Sequence, residues 1–445
     1  MFAAKYHIHL RRDLAGRLAQ ARAQTDRLFE LIQPDALYHR PIPERHRLVF
    51  YIGHLEAFDW NLLQPDKPFD ASLDRLFAFG IDPVDGGLPS DQPSDWPALE
   101  LVRRYAAGAR HAVDIWLEHN TPVSEILLNT ALEHRLMHAE TLAYMLHQLP
   151  LDKRTPQPQP HVADLGATRP ETLHVPEGWI TLGLPRDSGE FGWDNEYDAH
   201  RVSVPAFGID RYKVTNGQFL EFVQTGGYQD RSLWTEADWH WKSAHDISHP
   251  VFWSPADARR HPGNWHLRAM FEEIPLPASW PVYVSHAEAS AYARWAGKRL
   301  PTEAEWQRAA YGSAGNVENK YPWGAYAPGP EQGYFDFARW DPSPVNAFPR
   351  GRSAFGLDGL LANGWEWTAS PFEPFAGFHA SSFYPGYSAN FFDGQHYVMK
   401  GGSPRTGQSM LRASFRNWFQ PHYQYVYAGF RCAHSESSVE AKEGL

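Results

Sequence analysis

His134-Arg-Leu-Met-His138-Ala-Glu140 lies inside the apolar run Ser124 to Leu149, and the reading of this stretch decides what kind of domain surrounds it. The spacing predicts a helix, and on a helix residues four apart stand one above the other, so the two imidazoles can converge on one metal ion. Two ligands do not close a site. A third is offered by His54 in Tyr51-Ile-Gly-His54-Leu-Glu-Ala-Phe58-Asp-Trp60, a second apolar helical segment. A lone histidine on such a helix is more often a hydrogen-bonded core group than a ligand. The pair and the single histidine together favour metal, because helical bundles build metal sites from side chains on facing helices.

Outward from this stretch the chain reads as a four-helix bundle over residues 1–152. Asp13 to Leu31 carries Leu14, Leu18, Ala21, Leu28 and Leu31 at helical spacing, with Asp13 as the expected N-cap. Glu44 to Leu63 is the second helix, with Phe58 and Trp60 facing the core, and Trp96 to His119 the third, capped by Ser94 or Asp95. Ser124 to Leu149 is the fourth. The turn-rich connection Gly80 to Pro89 is a long crossover expected to lie over the site. Thr155-Pro-Gln-Pro-Gln-Pro160 is an extended linker, so 153–174 separates the bundle from a second domain over 175–435, with a flexible tail at 436–445. From Val175 short apolar runs broken by Gly, Pro, Asn and Asp alternate with two helical patches, Thr215 to Thr225 and His286 to Ala296, which reads as an α+β domain.

The formal net charge of −11 argues against a nucleic-acid partner, whose phosphates need a Lys- and Arg-rich face. Small-molecule substrates are expected instead. The aromatic content, 18 Trp, 20 Tyr and 26 Phe concentrated after residue 175, favours an irregular aromatic-packed second domain. A single cysteine, Cys432, excludes an intrachain disulfide and any thiolate-rich metal site. No apolar run approaches a membrane span, and the first twelve residues lack the apolar centre of a signal peptide, so a cytoplasmic protein is expected.

Five strings in the second half carry a resemblance: Asp210-Arg-Tyr-Lys-Val-Thr-Asn-Gly-Gln-Phe219, Pro281-Val-Tyr-Val-Ser-His-Ala-Glu-Ala, Lys298-Arg-Leu-Pro-Thr-Glu-Ala-Glu-Trp306, Asn363-Gly-Trp-Glu-Trp-Thr368 and Gly429-Phe-Arg-Cys432. In this order they resemble the formylglycine-generating-enzyme (sulfatase-modifying factor) fold, a C-type-lectin-like domain. Joined to a bundle with His-x-x-x-His-x-Glu and an upstream His, the whole chain resembles the sulfoxide synthases of ergothioneine biosynthesis, which pair a DinB-like bundle with this domain. Formylglycine generation itself relies on two cysteines, and Cys432 stands alone.

The resemblance implies a mononuclear non-haem iron(II) site held by His54, His134 and His138, with Glu140 outside the ligand set as a partner for a histidine ring nitrogen. It implies trimethylhistidine, a cysteine-type thiol and O2 as substrates, joined as a sulfoxide at the imidazole C2. A trimethylammonium cannot donate hydrogen bonds and is best held by aromatic faces, and Asn417 and Trp418 match the family's betaine-binding motif. Phe419 stands where mycobacterial members place an Asp that pairs with the amine of γ-glutamylcysteine, which favours free cysteine and the branch that takes it. Tyr384 and Tyr387 fall near the family's proton-donating tyrosine; the cysteine-using branch places its tyrosines in the crossover loop, where none lies between Ile81 and Trp96. Arg103, Arg104, Arg412 and Arg416 are candidates to hold the substrate carboxylate. Rival readings are an ovothiol-type or selenoneine-type enzyme, or a metal-dependent thiol-binding protein without oxygen chemistry.

Overall fold

The computed structural model describes residues 2–78, 88–119, 124–158, 164–166, 168–255 and 265–435, with side chains from Asp13 onward. The chain divides into two compact units, Met1–Pro158 and Gln159–Leu445. Residues 80–87 of the expected crossover and the 436–445 tail lie outside the described residues.

The first unit holds α1 (Phe2–Glu30), α2 (Leu48–Leu63), α3 (Ala71–Phe77), α4 (Leu99–His119) and α5 (Glu125–Gln148). The four long helices are those expected, with α1 packed on α5 and α2 on α4 and α5. Three boundaries differ. Asp13 lies inside α1 rather than at its cap, since nothing in residues 2–12 breaks a helix. The third long helix starts at Leu99, because Pro93–Asp95 forms its own 3-10 turn, closed by Asp95 accepting from the Gln92 N–H, and Pro97 follows it. The second starts at Leu48 rather than Glu44. The short α3 was not anticipated; Asp70 caps it by accepting from the Ser72 and Leu73 N–H groups. Leu14, Ala21, Trp60, Leu63, Val113, Leu128 and Leu132 form a core among the long helices.

The second unit is α+β. In chain order it contains β1 (Thr172–Val175), β2 (Gly178–Leu182), β3 (His200–Val204), β4 (Phe207–Asp210), α6 (Asn216–Gln224), α7 (Glu236–Ala244), β5 (Trp253–Pro255), β6 (Trp265–Arg268), β7 (Glu273–Pro275), α8 (His286–Trp295), α9 (Glu303–Tyr311), β8 (Gly364–Pro371), β9 (Tyr397–Gly402), β10 (Asn417–Phe419), β11 (Ala428–Gly429) and β12 (Ala433–Ser435). The central sheet has the order β10-β9-β8-β11, antiparallel except for the parallel β8/β11 pair, so β10 is an edge strand. The remaining strands make the sheets β1-β4-β12 and β5-β6-β7 and the β2-β3 hairpin. β3 and β4 are separate strands, since Pro205 between them cannot donate to a ladder. Both predicted helical patches form, each behind a capping box, Thr215 with Gln218 and Ser285 with Glu288. Inside the sheet region Arg431 is fully buried and forks onto both oxygens of Glu366, which also pairs with Lys213.

Candidate functional site

α2 and α5 bring three imidazoles to one point. The Nε2 atom of His138 lies 3.2 Å from that of His54 and 3.1 Å from that of His134, and all three rings are buried. His54 Nδ1 sits 2.7 Å from the Phe77 carbonyl oxygen, which can only accept, so Nδ1 carries the proton and Nε2 turns its lone pair inward. Burial pulls the His54 pKa down to about 4 against the opposing pull of the Phe77 carbonyl. Burial likewise holds His134 and His138 well below the ordinary histidine range, each further lowered by a neighbouring imidazole. The rings are therefore neutral at neutral pH, the state in which histidine binds metal. Two such nitrogens can share a proton; three converging ones call for a cation. The donor set, three imidazoles with no carboxylate or thiolate, fits a borderline divalent ion such as iron(II), cobalt or zinc and leaves coordination positions for substrate. Among the described residues this is the one group of three or more His, Cys, Asp or Glu side chains able to hold an ion.

Several walls of this site escaped the sequence. Phe58, expected in the core, is half-buried and stacks on His134 with ring centroids 3.4 Å apart and planes within 9°. Phe50 stacks on His54 at 4.7 Å. The Phe77 carbonyl arrives on the unanticipated α3, and its ring lies against Gly53: a Cβ at that position would stand 2.4 Å from the ring. Glu140 is buried, but the partner of the His54 Nδ1 is this backbone carbonyl rather than Glu140.

The arginines expected on the third long helix do not join the histidines. Arg103 lines a cleft of about 320 Å³ with Ile52, Leu55 and Glu56. Ile52 and Glu56 each lie two residues from His54, roughly 200° around the helix, so this cleft opens on the other face of α2. Arg104 is exposed.

In the second unit Asn417, Trp418 and Phe419 form β10, and the alternation of a strand sends Trp418 to one face and its two neighbours to the other. Trp418 stacks flat on Phe372 at 4.2 Å and meets the ring edge of Tyr387 at 5.3 Å. Tyr387 in turn stacks on Trp193 at 3.9 Å and touches Tyr384 at 5.7 Å. The structure thus gathers Trp418 with both candidate tyrosines. Phe419 stacks on Tyr423. The Asn417 side-chain oxygen accepts from the Trp418 N–H at 2.9 Å.

Two arginines proposed as carboxylate binders are engaged elsewhere. Arg416 is buried, donates to both oxygens of Glu303 and to the carbonyls of Asn195 and Glu373, and lies over the rings of Phe372 and Phe375, which makes it a brace for β10. Arg412 forks onto Glu196. The turn Asp194-Asn195-Glu196, unmarked in the sequence reading, is a junction. Asp194 accepts from Ser381 and Ser388 at the two ends of the tyrosine loop, the Asn195 carbonyl from Arg416, and Glu196 from Arg412 and Ser414.

The sulfatase-modifying factor enzyme 1-like domain family matches residues 158–436. Over 445 aligned positions the chain is 35% identical to a protein of Mycolicibacterium smegmatis called hercynine oxygenase, covering 95% of this chain and 99% of that one. Identity to the hercynine oxygenase of Mycolicibacterium thermoresistibile is 32%, covering 98% and 97%. Ergothioneine biosynthesis protein 1 of Neurospora crassa is 28% identical, with 90% of this chain matching 55% of that one.

Proposed function

The chain belongs to the hercynine oxygenase family, with a sulfatase-modifying factor enzyme 1-like second unit, and from that premise we propose an iron(II)- and O2-dependent oxidoreductase of ergothioneine biosynthesis that joins the sulfur of cysteine to C2 of trimethylhistidine (hercynine) as a sulfoxide. The observation that carries this reading is the convergence of the three buried imidazole Nε2 atoms of His54, His134 and His138, neutral and without a carboxylate among them. The reaction balances without a further reductant: a C2–H and an S–H bond break, a C–S and an S–O bond form, and the second oxygen of O2 leaves as water. Iron(II) held there would supply O2 activation and a lowered thiol pKa, delivering thiolate at neutral pH.

The rest falls to the chain's own side chains. The Phe77 carbonyl fixes the His54 tautomer, and Phe50 and Phe58 hold two of the rings in plane and keep water from their faces. Trp418 is the proposed aromatic contact of the trimethylammonium and Asn417, on the other face of the edge strand β10, the proposed polar contact of the betaine, while Tyr384 or Tyr387 is the proposed phenol that gives up a proton during turnover. Phe419, on the opposite face of β10 from Trp418, offers no carboxylate to a γ-glutamyl ammonium, which supports free cysteine as donor. The test is anaerobic reconstitution with iron(II), admission of O2, and a donor screen with and without trimethylhistidine, read by oxygen uptake and product mass. Tight zinc binding with no oxygen uptake under any donor would replace the oxidoreductase with a thiol-binding protein.

A further inference from the structure

Behind the histidines lies a largely buried ionic cluster that joins four helices, α1, α2, α4 and α5. Arg135 follows His134 in sequence, yet it points away from the imidazoles and is 1% exposed. Its guanidinium donates to the Leu55 carbonyl at 2.9 Å, Asp59 at 2.8 Å, Glu56 at 3.0 Å and Thr25 at 3.4 Å. Leu55 is the residue after His54, so one side chain of α5 grips the backbone of α2 next to the third histidine. Arg110 of α4 forks onto Asp26 of α1 and also reaches Glu56, and Arg22 of α1 reaches Asp59. A buried ion cluster is a weak source of stability, since desolvation offsets most of the attraction; its best-attested use is to fix a register. What it fixes here is the offset between α2 and α5, and that offset sets how far His54 stands from the His134/His138 pair.

We propose that Arg135 is a positioning residue for the metal centre: by clamping α2 at Leu55, Glu56 and Asp59 it holds His54 at ligating distance from His134 and His138. The inference rests on the three-histidine reading above. Arginine suits the task because its planar fork reaches acceptors on two helices at once, whereas a lysine ammonium is a single point on a flexible stem. Thr25 is the acceptor on α1, and the other three lie on α2.

The test is cobalt(II) titration of the full-length chain, read by the visible d–d band, for wild type, Arg135→Lys, His54→Ala, the double variant, and Leu18→Ala. Leu18 belongs to a separate apolar cluster with Leu62 and Ala131, so its truncation loosens the bundle without touching the clamp. Arg135→Lys keeps the charge and is the variant expected to fold; it should bind cobalt about 10- to 100-fold more weakly, the usual consequence of losing a group that orients a ligand. Its band should move towards that of His54→Ala. In the double variant the lysine should add nothing to the loss from His54→Ala, because the clamp acts through that ligand. Leu18→Ala should melt earlier yet keep the wild-type band and affinity. The proposal is overturned if Arg135→Lys binds as wild type, if its loss persists undiminished on the His54→Ala background, or if Leu18→Ala shifts the band equally. A His54→Ala protein with the wild-type band would instead remove His54 from the ligand set and sink the three-histidine reading itself.

Discussion

Gly53→Ala is the substitution whose outcome depends most directly on how the site is built. The added Cβ would stand 2.4 Å from Cε2 of Phe77 and 2.5 Å from its Cδ2 and Cζ. Carbon atoms in contact prefer about 3.5–4.0 Å, so the ring must retreat by roughly 1 Å or more. It has nowhere to go cheaply. Phe77 is fully buried, with its centroid 5.3 Å from Tyr105, 6.3 Å from Phe50 and 6.5 Å from Trp96. Overpacking of this kind typically costs about 1–3 kcal/mol, offset by the roughly 0.5–1 kcal/mol that alanine gains over glycine in a helix, so the net loss of stability stays under about 2.5 kcal/mol. The effect on metal should be larger in kind. Phe77 cannot shift without disturbing its carbonyl, which fixes the His54 tautomer, and losing such an orienting bond lowers metal affinity about 10- to 100-fold. Urea unfolding of the metal-free protein and calorimetric titration with iron(II) under anaerobic conditions separate the two quantities. Phe77→Leu on the Gly53→Ala background makes room for the methyl and should restore much of the affinity. If Gly53→Ala binds iron within twofold of wild type, the orientation of His54 through α3 does not matter and the reasoning fails.

Replacing His54, His134 or His138 with Ala should abolish turnover and sharply weaken iron binding, while Glu140→Ala should leave iron stoichiometric by elemental analysis. Trp418→Ala should weaken trimethylhistidine binding by about 2 kcal/mol, the worth of a desolvated cation–π contact, and cysteine binding by much less; equal losses point to a folding defect. Phe419→Asp should move the kcat/KM ratio towards γ-glutamylcysteine by about ten- to a hundredfold, as a charged hydrogen bond of about 1.5–3 kcal/mol is gained, without altering iron content. In the second unit, burial pulls the pKa of His286 down to about 4, against an unfolded value near 6.5. The folded state then binds fewer protons, so stability is intact above about pH 6.5 and declines as pH falls towards 4, by up to roughly 3 kcal/mol. His286→Gln should flatten that stretch of the urea-midpoint profile.

The bundle was legible because its signals are local. Four apolar periodicities, the His134/His138 spacing and the isolated His54 all lie within one helix length of themselves, and the structure joins those histidines at 3.1 and 3.2 Å. Long-range partners carried no such mark. Arg135 is a single basic residue in an apolar run until Glu56 and Asp59 are known to face it, and α3, seven residues long, is too short to show a period. The misplaced Asp13 cap has the same origin: an acidic residue before a leucine is a cap only if the preceding chain is not helical, which the residue alone does not decide.

In the second unit the strings that carried the resemblance are mostly buried architecture rather than chemistry. Glu366 and Arg431, from two of those strings, pair with each other at 0% exposure. Glu303 and Glu305, from the Leu-Pro-Thr-Glu-Ala-Glu string, hold Arg416 and Arg299, and they begin α9, a helix the sequence reading missed although Thr302 and Glu305 form its capping box. Motifs of this sort identify a fold because removing one partner strands a buried charge, at a cost of roughly 3–5 kcal/mol. Asn417, Trp418 and the two candidate tyrosines are held by such pairs without belonging to them. Arg416, a candidate that is itself paired, ties the start of β10 to Glu303 beside Asn417 and Trp418, and Asp194 closes the loop that carries Tyr384 and Tyr387. If substrate meets β10 and that loop as proposed, residues there can change while the braces stay fixed, and Phe419, which stacks on Tyr423, is one such position.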